Sequence, residues 1–98
     1  MKLKSIKMII DSDLNNVSLI GMAVRKLCSI IPLSDLEAYE IELCVVEAVN
    51  NAIIHGYNNE KGHEVEIVFT LFLDKLVLDV YDKGKGIDEE CVKHFFHL

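Results

Sequence analysis

The sequence predicts an α+β fold, a two-layer sandwich in which helices cover one face of a mainly antiparallel sheet, in the order β-α-α-β-β. Two observations support this prediction. Two segments in the first half of the chain carry apolar residues at spacings of three and four, as amphipathic helices do. Two later segments alternate apolar and polar residues, as strands with one buried face do. Two helices stacked on such a sheet form two layers.

The first strand is predicted over residues 2–10, where side chains alternate and neither Gly nor Pro interrupts the run. Asp11, Ser12 and Asp13 then offer N-caps for a first helix. The predicted apolar face of this helix contains Leu14, Val17, Ile20, Val24, Leu27 and Ile31. We expect the helix to end before Pro32, because a residue that precedes proline is disfavoured in the helical conformation.

The second helix is predicted to begin at a capping box, in which Ser34 and Glu37 satisfy backbone donors reciprocally. Its predicted core face contains Leu36, Tyr39, Leu43, Val46, Val49, Ala52 and Ile53. Gly56 is a natural terminator, and the polar residues 57–62 are typical of a turn.

The last two predicted strands form an antiparallel hairpin. Residues 65–73 and 76–81 both alternate apolar and polar side chains, and Asp74 and Lys75 form a short turn between them. The alternation predicts that each strand turns one strongly apolar face toward the helices.

Length and charge limit the classes of function. At 98 residues the chain is predicted to form a single domain, residues 1–98. The formal charge of −6, with scattered basic residues, argues against nucleic acid and anionic membranes as partners and is compatible with a basic protein partner. No apolar run has the length of a membrane-spanning helix.

Cys28, Cys44 and Cys91 are odd in number, widely spaced and set among apolar residues. Because the sequence has no Cys-x-x-Cys pair, we interpret the three cysteines as buried thiols in a reducing compartment, rather than as partners in a disulfide or as zinc ligands. Because residues 1–7 have no long apolar core behind their charges, we expect no secretory signal and a cytoplasmic protein.

Glu47 and Asn51 lie four residues apart and therefore share one face of the second helix. Glu47 is either a carboxylate at the solvent edge of the helix or a general base that accepts a proton during phosphoryl transfer. Asn51 can offer its amide oxygen to Mg²⁺, whereas Asn50 is rotated away from the face of Glu47.

Asp82 follows a strand and precedes Gly84 and Gly86. It is either an acidic turn residue or an acceptor for the exocyclic amine of a base such as adenine, with the glycines leaving room for the base against the backbone. For His55, beside Gly56, a structural histidine hydrogen-bonded to nearby backbone is favoured over a catalytic one.

Residues 46–57 and 82–87 together resemble the first two nucleotide-binding boxes of the GHKL ATPase superfamily, with the greatest similarity to the bacterial anti-sigma factor serine kinases. The resemblance implies an ATP site, with Glu47 as the general base and Asn51 as the Mg²⁺ ligand. It implies that Asp82 recognises adenine, that Gly84, Gly86 and Ile87 shape the pocket, and that His55 belongs to the same box.

The resemblance further implies a protein serine kinase that binds ATP with Mg²⁺, sequesters a sigma factor, phosphorylates an antagonist protein and works as a homodimer. Past Ile87 the family continues into a lid and closing strands, and we expect this chain to lack them. Two alternatives stay open: a non-catalytic interaction module that dimerises, and a fragment of a histidine kinase ATPase domain.

Overall fold

Within the described part of the chain, four antiparallel strands form one sheet, and two helices pack on one of its faces. The computed structural model describes residues 1–82 and 86–95, with residues 86–88 described for the backbone only. The elements are β1 (Lys2–Asp11), α1 (Val17–Cys28), α2 (Asp35–Asn51), β2 (Glu64–Phe72), β3 (Lys75–Asp82) and β4 (Gly86–His94). A 3₁₀ turn, Leu14–Asn16, precedes α1, and a π-helical turn, Ala52–Gly56, continues α2. The predicted α+β two-layer class is confirmed.

The sheet is a meander with the strand order β1-β2-β3-β4 and antiparallel pairing throughout. Phe69 at the centre of β2 lies opposite Ile6 of β1 and Leu78 of β3, and Leu78 lies opposite Cys91 of β4. The predicted hairpin of β2 and β3 is confirmed. The predicted order β-α-α-β-β is incomplete, because β4 adds a strand at the edge of the sheet.

The predicted cap forms at α2, whereas the N-cap residue of α1, Asn16, makes no capping hydrogen bond through its side chain. Ser34 Oγ accepts a hydrogen bond from the Glu37 amide at 3.1 Å, and Glu37 Oε1 accepts one from the Ser34 amide at 3.0 Å, so the capping box is confirmed. Asp13 caps the 3₁₀ turn by accepting from the Asn15 amide at 2.9 Å. Among the described residues, no helix combines the length and apolar character needed to cross a bilayer.

The predicted core face of α2 is partly wrong. Leu36, Tyr39 and Leu43 are 68%, 48% and 41% exposed. The buried residues of α2 are Ala38, Ile41, Val45, Ala48 and Val49. Both sets recur at spacings of three and four, so periodicity alone does not say which stripe meets the sheet. The stripe that does so carries small and β-branched residues, which let the helix approach the strands closely.

The sheet contributes one complete face of the core. Its inward side chains from β2 and β3 are fully buried against the helices, and they are Val65, Ile67, Phe69, Leu76, Leu78 and Val80. From α1, Val24 is fully buried as well, and Gly21 permits close packing on α2, since a Cβ there would lie 3.0 Å from Val46 Cγ2.

Cys44 and Cys91 form a disulfide, with their Cα atoms 6.2 Å apart, within the usual range for such bonds. The expectation of three thiols is therefore wrong for these two residues. They are separated by 47 positions in sequence, so their pairing depends on how β4 packs on α2. Cys28 is a free, buried thiol, as expected, and burial raises its pKa to about 11.

On the open face of the sheet, Asp79 of β3 lies directly opposite Glu90 of β4. Burial and the neighbouring Glu90 carboxyl group raise the pKa of Asp79 from 3.8 to about 6. Because the folded protein holds this proton more tightly than the unfolded chain does, the associated stability is present below about pH 4 and is lost as the pH rises through about 6.

We therefore expect Asp79→Asn to remove this loss and to raise the free energy of unfolding above pH 6 by up to about 1 kcal/mol, the size of a like-charge pair across strands. Urea unfolding at about pH 4 and pH 7 measures the change. Asp74→Asn, in the turn between β2 and β3, is the matched control. Equal pH dependence in both variants and the parent protein would contradict the prediction.

Candidate functional site

The end of α2 presents Glu47 and Asn51 one helical turn apart, and both side chains are exposed. The half-buried position of Asn50 agrees with the predicted difference in orientation between the two asparagines. Asn51 Nδ2 donates a hydrogen bond to Glu89 Oε1 of β4 at 2.9 Å. The shared face of Glu47 and Asn51 is thus accessible, and β4 contributes an acidic group to it.

Contacts along α2 follow one stripe of the helix, which contains Glu37, Cys44, Glu47 and Asn51 and is called here the α2 stripe. Glu37, Cys44 and Asn51 are seven residues apart, close to two helical turns. They meet alternate residues of β4: Lys93 Nζ lies 3.6 Å from Glu37 Oε2, Cys91 is bonded to Cys44, and Glu89 accepts from Asn51. The α2 stripe therefore faces β4 along its length.

Asp82 ends β3 and is only 2% exposed. Its carboxylate lies against the backbone of Gly56, where a Cβ atom would stand 2.5 Å from Asp82 Oδ2 and 3.4 Å from its Cγ. Only glycine leaves this space. The two sequence motifs therefore meet in the fold, through a contact between Gly56, near the end of the first motif, and Asp82, the first residue of the second.

The π-helical turn determines where Gly56 lies. The Tyr57 amide donates to the Ala52 carbonyl at 3.1 Å, a five-residue closure in place of the usual four. Tyr57 itself is buried, donates its hydroxyl to the Glu64 carbonyl at 2.6 Å and stacks on His63 with ring centroids 4.4 Å apart. These contacts fix the chain after Gly56 to the start of β2.

The segment after the π-helical turn is also attached to the end of β1. Ser12 is buried, donates its hydroxyl to the Glu60 carbonyl at 2.6 Å and accepts from the His63 amide at 3.1 Å. The Ser12 amide donates to the His63 carbonyl at 2.8 Å. Ser12, expected as a helix cap, instead holds this loop in position.

His55 is exposed, and its ring makes no hydrogen bond to any residue within 1–82 and 86–95. The expectation of a histidine fixed to nearby backbone stays a prediction. The π-helical turn leaves His55 exposed, while Gly56 faces Asp82.

The glycine-rich turn is described in part. Gly84 lies outside the described residues. Gly86 and Ile87 are described for their backbone, which belongs to β4 and pairs with Asp82 and Tyr81 respectively. The pairing of Gly86 with Asp82 closes the hairpin at the position where the second motif begins.

Oxygen atoms dominate the donors near Asn51. The Glu47 carboxylate and the Asn51 amide oxygen are hard donors of the kind that suit Mg²⁺. In the described part of the chain, no group of three or more His, Cys, Asp or Glu side chains is arranged to hold a metal ion. Oxygen donors of this kind suit a cation that takes further ligands from substrate phosphates, as Mg²⁺ usually does.

Three features of this region were not predicted from sequence. Glu89 as the partner of Asn51, Gly56 as the neighbour of Asp82 and the Cys44–Cys91 bond all depend on packing between distant segments. The sequence carries one signal for the packing of β4 on α2. On the helix, Glu37, Cys44 and Asn51 are seven residues apart, and on the strand, Glu89, Cys91 and Lys93 are two residues apart.

The chain matches a family profile over most of its length and known proteins over about half of it. The profile of the histidine kinase-like ATPase domain matches residues 10–94. An anti-sigma F factor of Oceanobacillus iheyensis is 45% identical over 53 residues, which cover 54% of this chain and 36% of that protein. The serine-protein kinase RsbW of the same organism is 32% identical over 54 residues, 55% of this chain and 34% of that protein.

An anti-sigma F factor of Clostridium beijerinckii is 40% identical over 52 residues, which cover 53% of this chain and 36% of that protein. The matched segment thus spans about a third of the length of these curated relatives.

Proposed function

Because this chain belongs to the histidine kinase-like ATPase domain family, we propose that it supplies the first part of an ATP site in an anti-sigma factor with protein serine kinase activity. The observation that carries the proposal is the contact of Gly56 with Asp82, which joins the two nucleotide-binding motifs in one place. The names of the similar proteins, anti-sigma F factor and serine-protein kinase RsbW, support the more specific function.

In this proposal each site residue has the role that the family resemblance implies for its position. The buried Asp82 carboxylate accepts hydrogen bonds from the adenine amine, in a pocket that Gly84, Gly86 and Ile87 help to shape. Asn51 holds Mg²⁺ through its amide oxygen, which is distinct from the Nδ2 group that contacts Glu89. The exposed Glu47 accepts the proton of the attacking serine hydroxyl. His55 borders the site from the end of the π-helical turn.

The substrate and partners proposed are proteins. The nucleotide with Mg²⁺ supplies the phosphoryl group, and an antagonist protein supplies the serine. Exposed apolar side chains on α1, Leu19 at 60% and Met22 at 68%, support a contact surface for a sigma factor and for a second copy of the chain. The net charge of −6 favours a partner with a basic surface. We place this activity in the cytoplasm.

A calorimetric titration of the reduced protein with ATP, with and without Mg²⁺, tests the proposal. We expect Mg²⁺-dependent binding that Asn51→Ala reduces to its level without Mg²⁺, because the amide ligand is lost. Asp82→Asn is expected to weaken binding by a factor of about 10 to 100, the usual effect of losing a hydrogen bond to a charged group.

Asn50→Ala is the matched control, because Asn50 is adjacent in sequence but rotated by about 100° around the helix from Asn51. Equal losses from Asn50→Ala and Asn51→Ala would remove the assignment of Asn51. No binding at millimolar ATP in the reduced protein would refute the ATP site as a whole.

A non-catalytic interaction module is the second candidate function. Two observations favour this function. Glu89 of β4 already accepts a hydrogen bond from Asn51 Nδ2, and α1 has exposed apolar residues. Such a module would dimerise without binding nucleotide. A strictly monomeric protein in light scattering at high concentration would contradict this second function.

A further inference from the structure

β4 is held against α2 at three points, and only one of them is covalent. Lys93 forms ion pairs with Glu37 at 3.6 Å and Glu40 at 3.9 Å, and these groups are partly exposed, so the pairs contribute little. The hydrogen bond from Asn51 to Glu89 is also exposed. The Cys44–Cys91 disulfide, midway between them, is therefore the strongest of the three side-chain contacts between β4 and the α2 stripe, while the backbone of β4 is paired with β3.

The position of Glu89 matters for a phosphate-bearing ligand. Its carboxylate lies 2.9 Å from Asn51 Nδ2 and so places a negative charge beside the residue proposed to hold Mg²⁺. Like charges at this range repel one another. Polyphosphate and Glu89 therefore compete for the same end of the α2 stripe.

A reductant can reach the disulfide. A cleft of about 160 Å³ opens beside it, and the cleft is lined by Glu40, Ile41, Cys44, Cys91, Val92 and Lys93. Cys44 is partly exposed, and the Lys93 ammonium group in the same cleft favours the thiolates that form during exchange. Cys28, in contrast, is 2% exposed in the core, so it is not available for exchange with this pair.

We propose that the Cys44–Cys91 disulfide is a redox lock on the nucleotide site. In the oxidised protein it holds β4, with Glu89 on Asn51, over the α2 stripe. Reduction by a dithiol removes the covalent link between β4 and α2 while β4 stays paired with β3, so that Glu89 can leave Asn51 and the α2 stripe then accepts a Mg²⁺-bound nucleotide. This inference rests on the proposed ATP site and adds its regulation.

The dithiol supplies both electrons that reduction of the disulfide requires. One thiolate of the reductant attacks Sγ of Cys44, the bond between the two protein sulfurs breaks, and Cys91 leaves as a thiolate that takes up a proton. The second thiol of the reductant resolves the mixed disulfide and releases Cys44 as a thiol. Two electrons pass to the protein, and the reductant becomes a disulfide.

The test compares oxidised and dithiol-reduced protein in titrations with Mg²⁺-ADP, together with hydrogen exchange of the amides at 89–93. We expect reduction to tighten ADP binding at least tenfold and to speed exchange in β4. Cys44→Ser and Cys91→Ser are expected to bind like the reduced protein under oxidising conditions. Cys28→Ala, which leaves the disulfide intact, is expected to keep the difference between the two redox states.

The possible outcomes distinguish failure of the redox lock from failure of the proposed ATP site. Equal ADP affinity in the oxidised protein, the reduced protein and the two serine variants overturns the lock and leaves the ATP site standing. No binding in any of these states overturns the ATP site and the lock with it. Reduced wild-type protein provides the comparison if a serine variant fails to fold.

Discussion

Phe69→Ala is expected to lower the free energy of unfolding by about 3–5 kcal/mol, a large part of the 5–15 kcal/mol typical of a single domain. Phe69 is fully buried at the centre of β2, between Ile6 of β1 and Leu78 of β3. Its removal leaves a cavity in the buried core at the centre of three paired strands. Urea unfolding monitored by circular dichroism measures the loss.

Phe72→Ala is the matched control for this prediction. Phe72 lies on the same strand but on the opposite face, half-buried, with the Lys75 ammonium group 5.2 Å from its ring centre. We expect a loss of about 1 kcal/mol there, the usual size of an exposed cation–π contact with some burial. A similar loss for both variants would show that the core is not centred where the structure places it.

Gly56→Ala is expected to have the second largest effect and to act on stability and nucleotide binding together. The new Cβ atom would lie 2.5 Å from Asp82 Oδ2, and the carboxylate has little room to move because Asp82 is 2% exposed. Overpacking of this kind costs about 1–3 kcal/mol. Displacing Asp82 also removes the acceptor proposed for adenine, so ATP affinity should fall with stability.

A double-mutant cycle with Asp82→Ala isolates the contact. In the Asp82→Ala background the clashing oxygen is absent, so Gly56→Ala should cost little further stability. Additive losses in the two single variants and the double variant would mean that Gly56 and Asp82 do not interact as described.

The sequence was sufficient for the layers of the fold and for most of its elements. Alternation predicted β2 and β3, and the spacing of Val17, Ile20 and Val24 predicted the buried face of α1. The capping box located the start of α2 because its signal is local, between residues three apart. Secondary structure can be predicted from sequence where all the interacting residues belong to one segment.

Other features were missed because they depend on two segments at once. α2 carries two apolar stripes, and only packing decides that Ala48 is buried while Leu43 is exposed. β4 has charged residues, Glu89 and Lys93, on the face toward α2, which weakens the usual alternation of a strand. The pairing of Cys44 with Cys91 was not predicted, because the two residues are 47 positions apart in sequence.

For the site, helical geometry correctly placed Glu47 and Asn51 on one exposed face. The chemical roles of Glu47, Asn51, His55, Asp82, Gly84, Gly86 and Ile87 remain predictions. The approach of Gly56 to Asp82 could not be read from sequence, because it depends on the extra residue in the π-helical turn.

That extra residue imposes a strict limit on chain length at the end of α2. Deleting one position between Ala52 and Gly56 would restore ordinary helical hydrogen bonding, yet it would rotate everything beyond it by about 100°. Gly56 would then point away from Asp82, and Tyr57 would leave Glu64. Substitutions at the exposed positions of this segment, Ile54 and His55, leave the number of residues unchanged, whereas an insertion or deletion does not, so relatives that keep the Gly56–Asp82 junction must keep the same number of residues here.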